Sequence, residues 1–110
     1  MDIDDNKLVE KYLNEDDSAF NELLKKYLNP VFNFIRQFVS DASVAEDLTQ
    51  ETFFKAWKNL KRFNPNKSFK TWIFTIAKNT TYDYFKKKKT IPFRIENSLF
   101  FRFHNDQKIH

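Results

Sequence analysis

Apolar residues fall into four stretches with the three-to-four spacing of an amphipathic helix. Over residues 4–14, Leu8, Val9, Tyr12 and Leu13 share one stripe, which predicts a short helix with Asp5 or Asn6 as its N-cap. Residues 18–40 carry Phe20, Leu23, Leu24, Tyr27, Leu28, Val31, Phe34, Ile35, Phe38 and Val39 in an unbroken version of the same spacing, the mark of a long core helix. Pro30 interrupts it, and because proline removes a donor and crowds the preceding turn, a kink or split is expected over 28–30. Ser43-Val44-Ala45-Glu46 has the form of a capping box, so a third helix is predicted to start there and to run to about Leu60. The NPNK cluster at 64–67 is turn-forming, and Ser68 can cap a fourth helix from Phe69 to about Lys87. The lysine run at 86–89 ends it by self-repulsion before Pro92. No segment alternates as a strand would. The pattern predicts an all-α compact bundle of about four helices over residues 1–89, with 90–110 as linker or tail.

Composition narrows the chemistry. The 110 residues suffice for one domain. Glycine is absent, which removes phosphate-cradling and dinucleotide-binding loops. Cysteine is absent too, so there is no disulfide, thiolate nucleophile or thiolate metal site. No apolar run approaches the roughly 20 residues of a membrane span, and the acidic start MDIDD is the reverse of a signal peptide. A cytoplasmic protein with no membrane insertion is the expectation. His104 and His110 stand in the irregular tail without a catalytic set, so neither an enzyme, nor a bound metal, nor a cofactor is expected.

Charge divides the chain. Residues 1–51 hold twelve acids and five bases, a net −7, whereas 52–110 hold fourteen bases and three acids, a net +11. The second half suits a polyanion and the first does not. On a helical wheel the third helix points Leu48, Thr52, Phe53 and Ala56 one way. Phe54 lands on the other side among Asp47, Gln50, Glu51 and Lys58, with Trp57 near the margin. These residues admit two readings, a protein-contact patch with a ring at its centre or a lone exposed phenylalanine. The fourth helix has a core face of Phe69, Ile73, Ile76, Ala77, Thr80 and Tyr84. Lys70, Phe74, Lys78, Thr81, Tyr82 and Phe85 lie on the far side, and Trp72 sits at the edge. Cations interleaved with rings suit an unpaired strand, whose phosphates the lysines neutralise and whose bases the rings stack. The alternative is that the rings pack beneath another element.

AEDLTQETFFKAWKNLKRF followed by FKTWIFTIAKNTTYDYFKKKK resembles the second region of bacterial sigma factors of the sigma-70 superfamily, in particular the extracytoplasmic-function (ECF) group, over residues 18–89. The motifs DLxQExF and FxTWIxxIAxN are specific in combination. The resemblance implies a transcription-initiation domain that docks on the clamp helices of the RNA polymerase β′ subunit and recognises and melts the promoter minus-ten element. Asp47, Gln50, Glu51, Phe54 and Trp57 would then meet polymerase core. Arg62, Asn64, Asn66, Lys67 and Ser68 of the loop would meet promoter DNA on its non-template strand, together with Lys70, Thr71, Phe74, Thr75, Lys78, Asn79, Tyr82 and Lys86 of the fourth helix. The resemblance further implies an anti-sigma factor as partner and a helix-turn-helix domain beyond Lys89, so that this chain is expected to be a fragment of a longer protein. A generic single-strand binder and a purely protein-binding helical module are the competing classes.

Overall fold

The computed structural model describes residues 4–88. Among these it has four α-helices, α1 (Asp5–Leu13), α2 (Asp17–Arg36), α3 (Ala42–Lys58) and α4 (Phe69–Lys87), with a single 3-10 turn over Leu60–Arg62. The expected linker or tail at 90–110, with His104 and His110, lies outside the described residues.

Each helix starts on a short polar side chain that accepts its orphan amides. Asp4, not Asp5 or Asn6, caps α1 by accepting from Asn6 N. Asp16 caps α2. For α3 the predicted capping box does not form: Asp41 is the cap, accepting from Ser43 N at 2.9 Å and Val44 N at 3.4 Å, while the Ser43 hydroxyl donates to the same carboxylate oxygen. A charged acceptor at the positive end of the helix dipole outcompetes a neutral serine two residues later. Ser68 caps α4 as expected.

Between α1 and α2 the chain turns through Glu15, which takes φ 72°. Glu15 N donates to Tyr12 O and Asp16 N to Lys11 O, both at 3.0 Å, the paired bonds of a Schellman ending. In a chain without glycine, a glutamate occupies the left-handed position.

Pro30 does not split or end α2, which is continuous from Asp17 to Arg36. The bond that proline forfeits, to the Lys26 carbonyl, falls on the exposed side, where Pro30 itself stands, while Leu23, Tyr27, Val31 and Ile35 hold the helix from its buried face.

The core gathers around α2, with Leu23, Val31 and Ile35 fully covered, joined by Ala45 and Ala56 of α3, Leu60, and Phe69, Ile73 and Ala77 of α4. Three buried threonine hydroxyls are satisfied within their own helices: Thr49, Thr52 and Thr81 donate to the carbonyls of Ala45, Leu48 and Ala77 at 2.7–2.8 Å. Rings make the seam between α2 and α4. Tyr27 meets Phe69 at 5.6 Å and Phe74 at 6.5 Å, and Phe34 meets Phe74 edge-on at 5.4 Å. The Tyr27 hydroxyl donates to Asp5 Oδ2, and Lys26 Nζ lies 2.7 Å from Asp5 Oδ1, so one carboxylate binds α1 to α2. Burial, then that bond to Asp5, raises the pKa of Tyr27 above its ordinary value.

Hydrogen bonds from the Ser43 hydroxyl and from the Ser43 and Val44 amides hold the Asp41 carboxyl below its ordinary pKa. A depressed carboxyl contributes stability that is present above the unfolded value of about 3.9 and is lost as pH falls through the lower folded value. Asp41→Ala is therefore expected to lower the urea midpoint at neutral pH. The gap between variant and wild type closes below about pH 3.9, as a denaturation series at stepped pH would record.

Candidate functional site

Two surfaces on different helices hold most of the candidate residues. On α3, burial of Ala45, Leu48, Thr49, Thr52, Phe53 and Ala56 fixes the register of the whole helix. That register leaves Asp47, Gln50, Glu51, Phe54 and Trp57 in water. Phe54 is 56% and Trp57 48% exposed, with ring centroids 6.0 Å apart, so the two form one apolar island. Lys58 Nζ lies 5.8 Å from the Phe54 ring, and Glu51 pairs with Lys55 at 2.9 Å. The patch is a pair of rings with a charged rim, the anatomy of a protein contact.

The second surface begins where the 3-10 turn hands over to α4. Phe63 is buried, packing on Phe69 at 5.9 Å and Trp72 at 5.2 Å, and it anchors a polar turn. In that turn Lys67 N donates to Asn64 O, and Asn66 N donates to Asn64 Oδ1, both at 2.9 Å. The Asn64 side-chain oxygen is thus committed to the turn, and its amide group remains for other partners. Arg62, Asn64, Asn66, Lys67, Ser68, Lys70 and Thr71 are all exposed here, three of them cationic, along the turn and the first turn of α4. Thr75 is half-buried and donates to Thr71 O; Asn79 is half-buried, and exposed Lys86 sits near the far end of the helix.

The expected far side of α4 is largely not a solvent face. Phe74 is wedged between Tyr27 and Phe34 of α2. Lys78 is 4% and Tyr82 7% exposed, and Thr81 is fully covered. Burial alone pulls the Lys78 ammonium below its ordinary pKa. α4 packs against both α2 and α3, and Lys55 Nζ of α3 donates to Thr80 Oγ1 at 3.2 Å. Trp72 is half-buried, against Phe63 and Phe69, as its edge position suggested.

Sequence reasoning also missed two residues at these surfaces. Lys55 links the rim acid Glu51 to α4. Asn6, considered only as a cap, donates from Nδ2 to Pro65 O at 2.6 Å and Lys67 O at 3.2 Å. No periodicity signals a partner 59 residues away. Among the described residues, no three potential metal ligands come together and no helix is long and apolar enough to cross a membrane.

Residues 23–91 of this four-helix arrangement match the Sigma-70 region 2 family. The chain belongs to that family. Relatives place it in the ECF group: SigW of Bacillus subtilis, an ECF RNA polymerase sigma factor, is 31% identical over 83 residues, 76% of this chain and 44% of that protein. SigM of the same organism is 36% identical over 85 residues, 74% and 52%. The RNA polymerase sigma-H factor of Pseudomonas aeruginosa is 41% identical over 76 residues, 69% and 39%. The chain thus spans about half, or less, of the length of these curated relatives. Among solved structures, an engineered region 2 of sigmaE in complex with GTAAAA superposes with TM-score 0.73 at 33% identity, covering 79% of this chain and 90% of that one.

Adjacent phenylalanines on α3 give an internal control. Phe53→Ala is expected to cost about 3–5 kcal/mol in urea unfolding, since it empties a core position. Phe54→Ala is expected to stay within about 0.5 kcal/mol of wild type, as surface substitutions do.

Proposed function

We propose that this domain acts in transcription initiation, docking on RNA polymerase core through the exposed face of α3 and holding the non-template strand of the melted minus-ten element on the turn before α4. The reading rests on one observation above the others: a region 2 domain of the same fold, one third identical, was solved in complex with GTAAAA. The physical layout agrees with it. The two surfaces differ in chemistry, one acidic and aromatic and the other cationic, so one domain can engage a protein and a polyanion at once.

The α3 patch would meet the clamp helices of the β′ subunit, with Phe54 and Trp57 as anchors and Asp47, Gln50 and Glu51 as rim. On the DNA side, Arg62, Lys67 and Lys70 neutralise phosphates, which positions a strand without reading it. Base recognition then falls to the turn, where the Asn66 side chain and the remaining amide of Asn64 can meet the edge of an unstacked base. Because Phe74 is held in the α2 seam and Tyr82 and Lys78 are covered, they act on the strand through the shape of α4 rather than by open stacking or phosphate contact. Action with polymerase places the protein in the cytoplasm.

Binding of labelled oligonucleotides, followed by fluorescence anisotropy at low salt with and without core enzyme, tests the DNA half. The non-template minus-ten strand is expected to bind more tightly than the same sequence as duplex. Lys70→Ala should weaken all sequences and reduce the slope of log K against log salt by about 0.7, the share of one phosphate on a single strand. Asn66→Ala should act on selected sequences. Equal affinity for strand and duplex with no sequence preference would reduce the surface to a nonspecific basic patch.

Polymerase docking is tested separately. Phe54→Ala and Glu51→Lys are each expected to weaken core-enzyme binding in a pull-down or titration while the fold persists. Normal binding by both would move the docking surface elsewhere.

A further inference from the structure

The turn that the proposed function makes the base-reading element is closed from two sides. Its inner side is local: Lys67 N on Asn64 O and Asn66 N on Asn64 Oδ1. Its outer side is not. The carbonyls of Pro65 and Lys67 both receive hydrogen bonds from the Asn6 amide of α1. An asparagine amide has two N–H donors, and both are used.

Asn6 can do this because α1 is itself held. The residue before it, Asp5, accepts from the Tyr27 hydroxyl and pairs with Lys26, and the Tyr27 ring meets Phe69 tilted and Phe74 edge-on. Leu8 and Val9 are buried on the same helix. Beside the amide, α1 and the turn are separated by an open groove of about 420 Å³ lined by Val9, Glu10, Leu13, Phe63 and Pro65, so packing there is incomplete and the hydrogen bonds bridge the gap. Asn6 lies outside residues 23–91, the part that matches the family.

We propose that Asn6 is a positioning residue for promoter recognition: it fixes the 64–67 turn in the shape that receives the base, and α1 is the brace through which it acts. This rests on the DNA half of the proposed function. Holding a loop in its binding shape raises affinity by removing the ordering cost from the binding step. Asn6 bears no charge, so its effect is distinct from that of Arg62, Lys67 or Lys70.

Two variants test the role. Asn6→Ala removes both donors. Asn6→Asp keeps the shape but turns acceptors toward the two carbonyls, while an added acid in the first turn of α1 favours that helix, so the variant separates bracing of the turn from stability of α1. Both are expected to lose roughly five- to tenfold in affinity for the non-template strand, the loss of one or two neutral hydrogen bonds. Core-enzyme binding should be unchanged, and for Asn6→Ala so should the salt slope. In parallel, ¹⁵N order parameters over 64–67 in the free domain are expected to fall from the rigid value of about 0.85 toward 0.6. Undiminished strand affinity in both variants, with wild type still preferring strand to duplex, overturns the positioning role and leaves the proposed function standing. A wild type without that preference overturns the proposed function itself. Unchanged order parameters overturn the brace whatever the DNA does.

Discussion

The ring seam between α2 and α4 is the contact on which the rest of the domain depends. Tyr27 touches Phe69 and Phe74, Phe34 closes on Phe74, and Phe69 carries the contact onward to Phe63 and Trp72. Tilted and edge-on rings at these separations add electrostatic preference to a large buried area, so the seam sets an angle as well as a distance. No disulfide or metal ligand set contributes among the described residues. The turn at 64–67 hangs from this seam through Phe63, and α1 hangs from it through Asp5 and Tyr27.

The two surfaces follow from register rather than from surface composition. Burying Leu48, Phe53 and Ala56 leaves α3 no rotation in which Phe54 is also covered, so the exposed ring is a geometric consequence of the core. On α4 the same logic works in reverse. Both α2 and α3 pack on it, its middle is largely covered, and the accessible cations stand at its two ends: Lys70, with Arg62 and Lys67 of the turn before it, at the N-terminal end, and Lys86 and Lys87 at the other. A helix N-terminus with lysine and arginine beside it is also where backbone amides favour an anion.

Much of this was legible in the residues. The four helical stretches, the Ser68 cap and the solvent exposure of Phe54 follow from period and capping chemistry, which are local. What was not legible depended on geometry that sequence does not encode locally. The Ser43 to Glu46 spacing had the form of a cap, yet Asp41 two residues earlier is the stronger acceptor. Pro30 looked like a break, but its missing bond faces water and the buried face of α2 holds the helix together. A wheel divides a helix into two faces but does not say what covers the far one; α4 touches both α2 and α3, and of the two readings open for its far side the covered one holds for Phe74, Lys78, Thr81 and Tyr82, which are partly or wholly buried.

The link from Asn6 to Pro65 and Lys67 spans 59 and 61 residues. Helices form from neighbours in sequence, but a bond of that span requires nearly the whole described chain to be in place first, and its loop-closure entropy is met only when α1 arrives. The outer support of the turn is therefore a late event in folding and an early casualty of partial unfolding. As temperature rises toward the melting point, these exposed bonds can open while the helices remain packed. Under the proposed function, such a species would keep its docking face and lose the ordered turn that receives a strand, so heat would uncouple the two surfaces before it destroyed either.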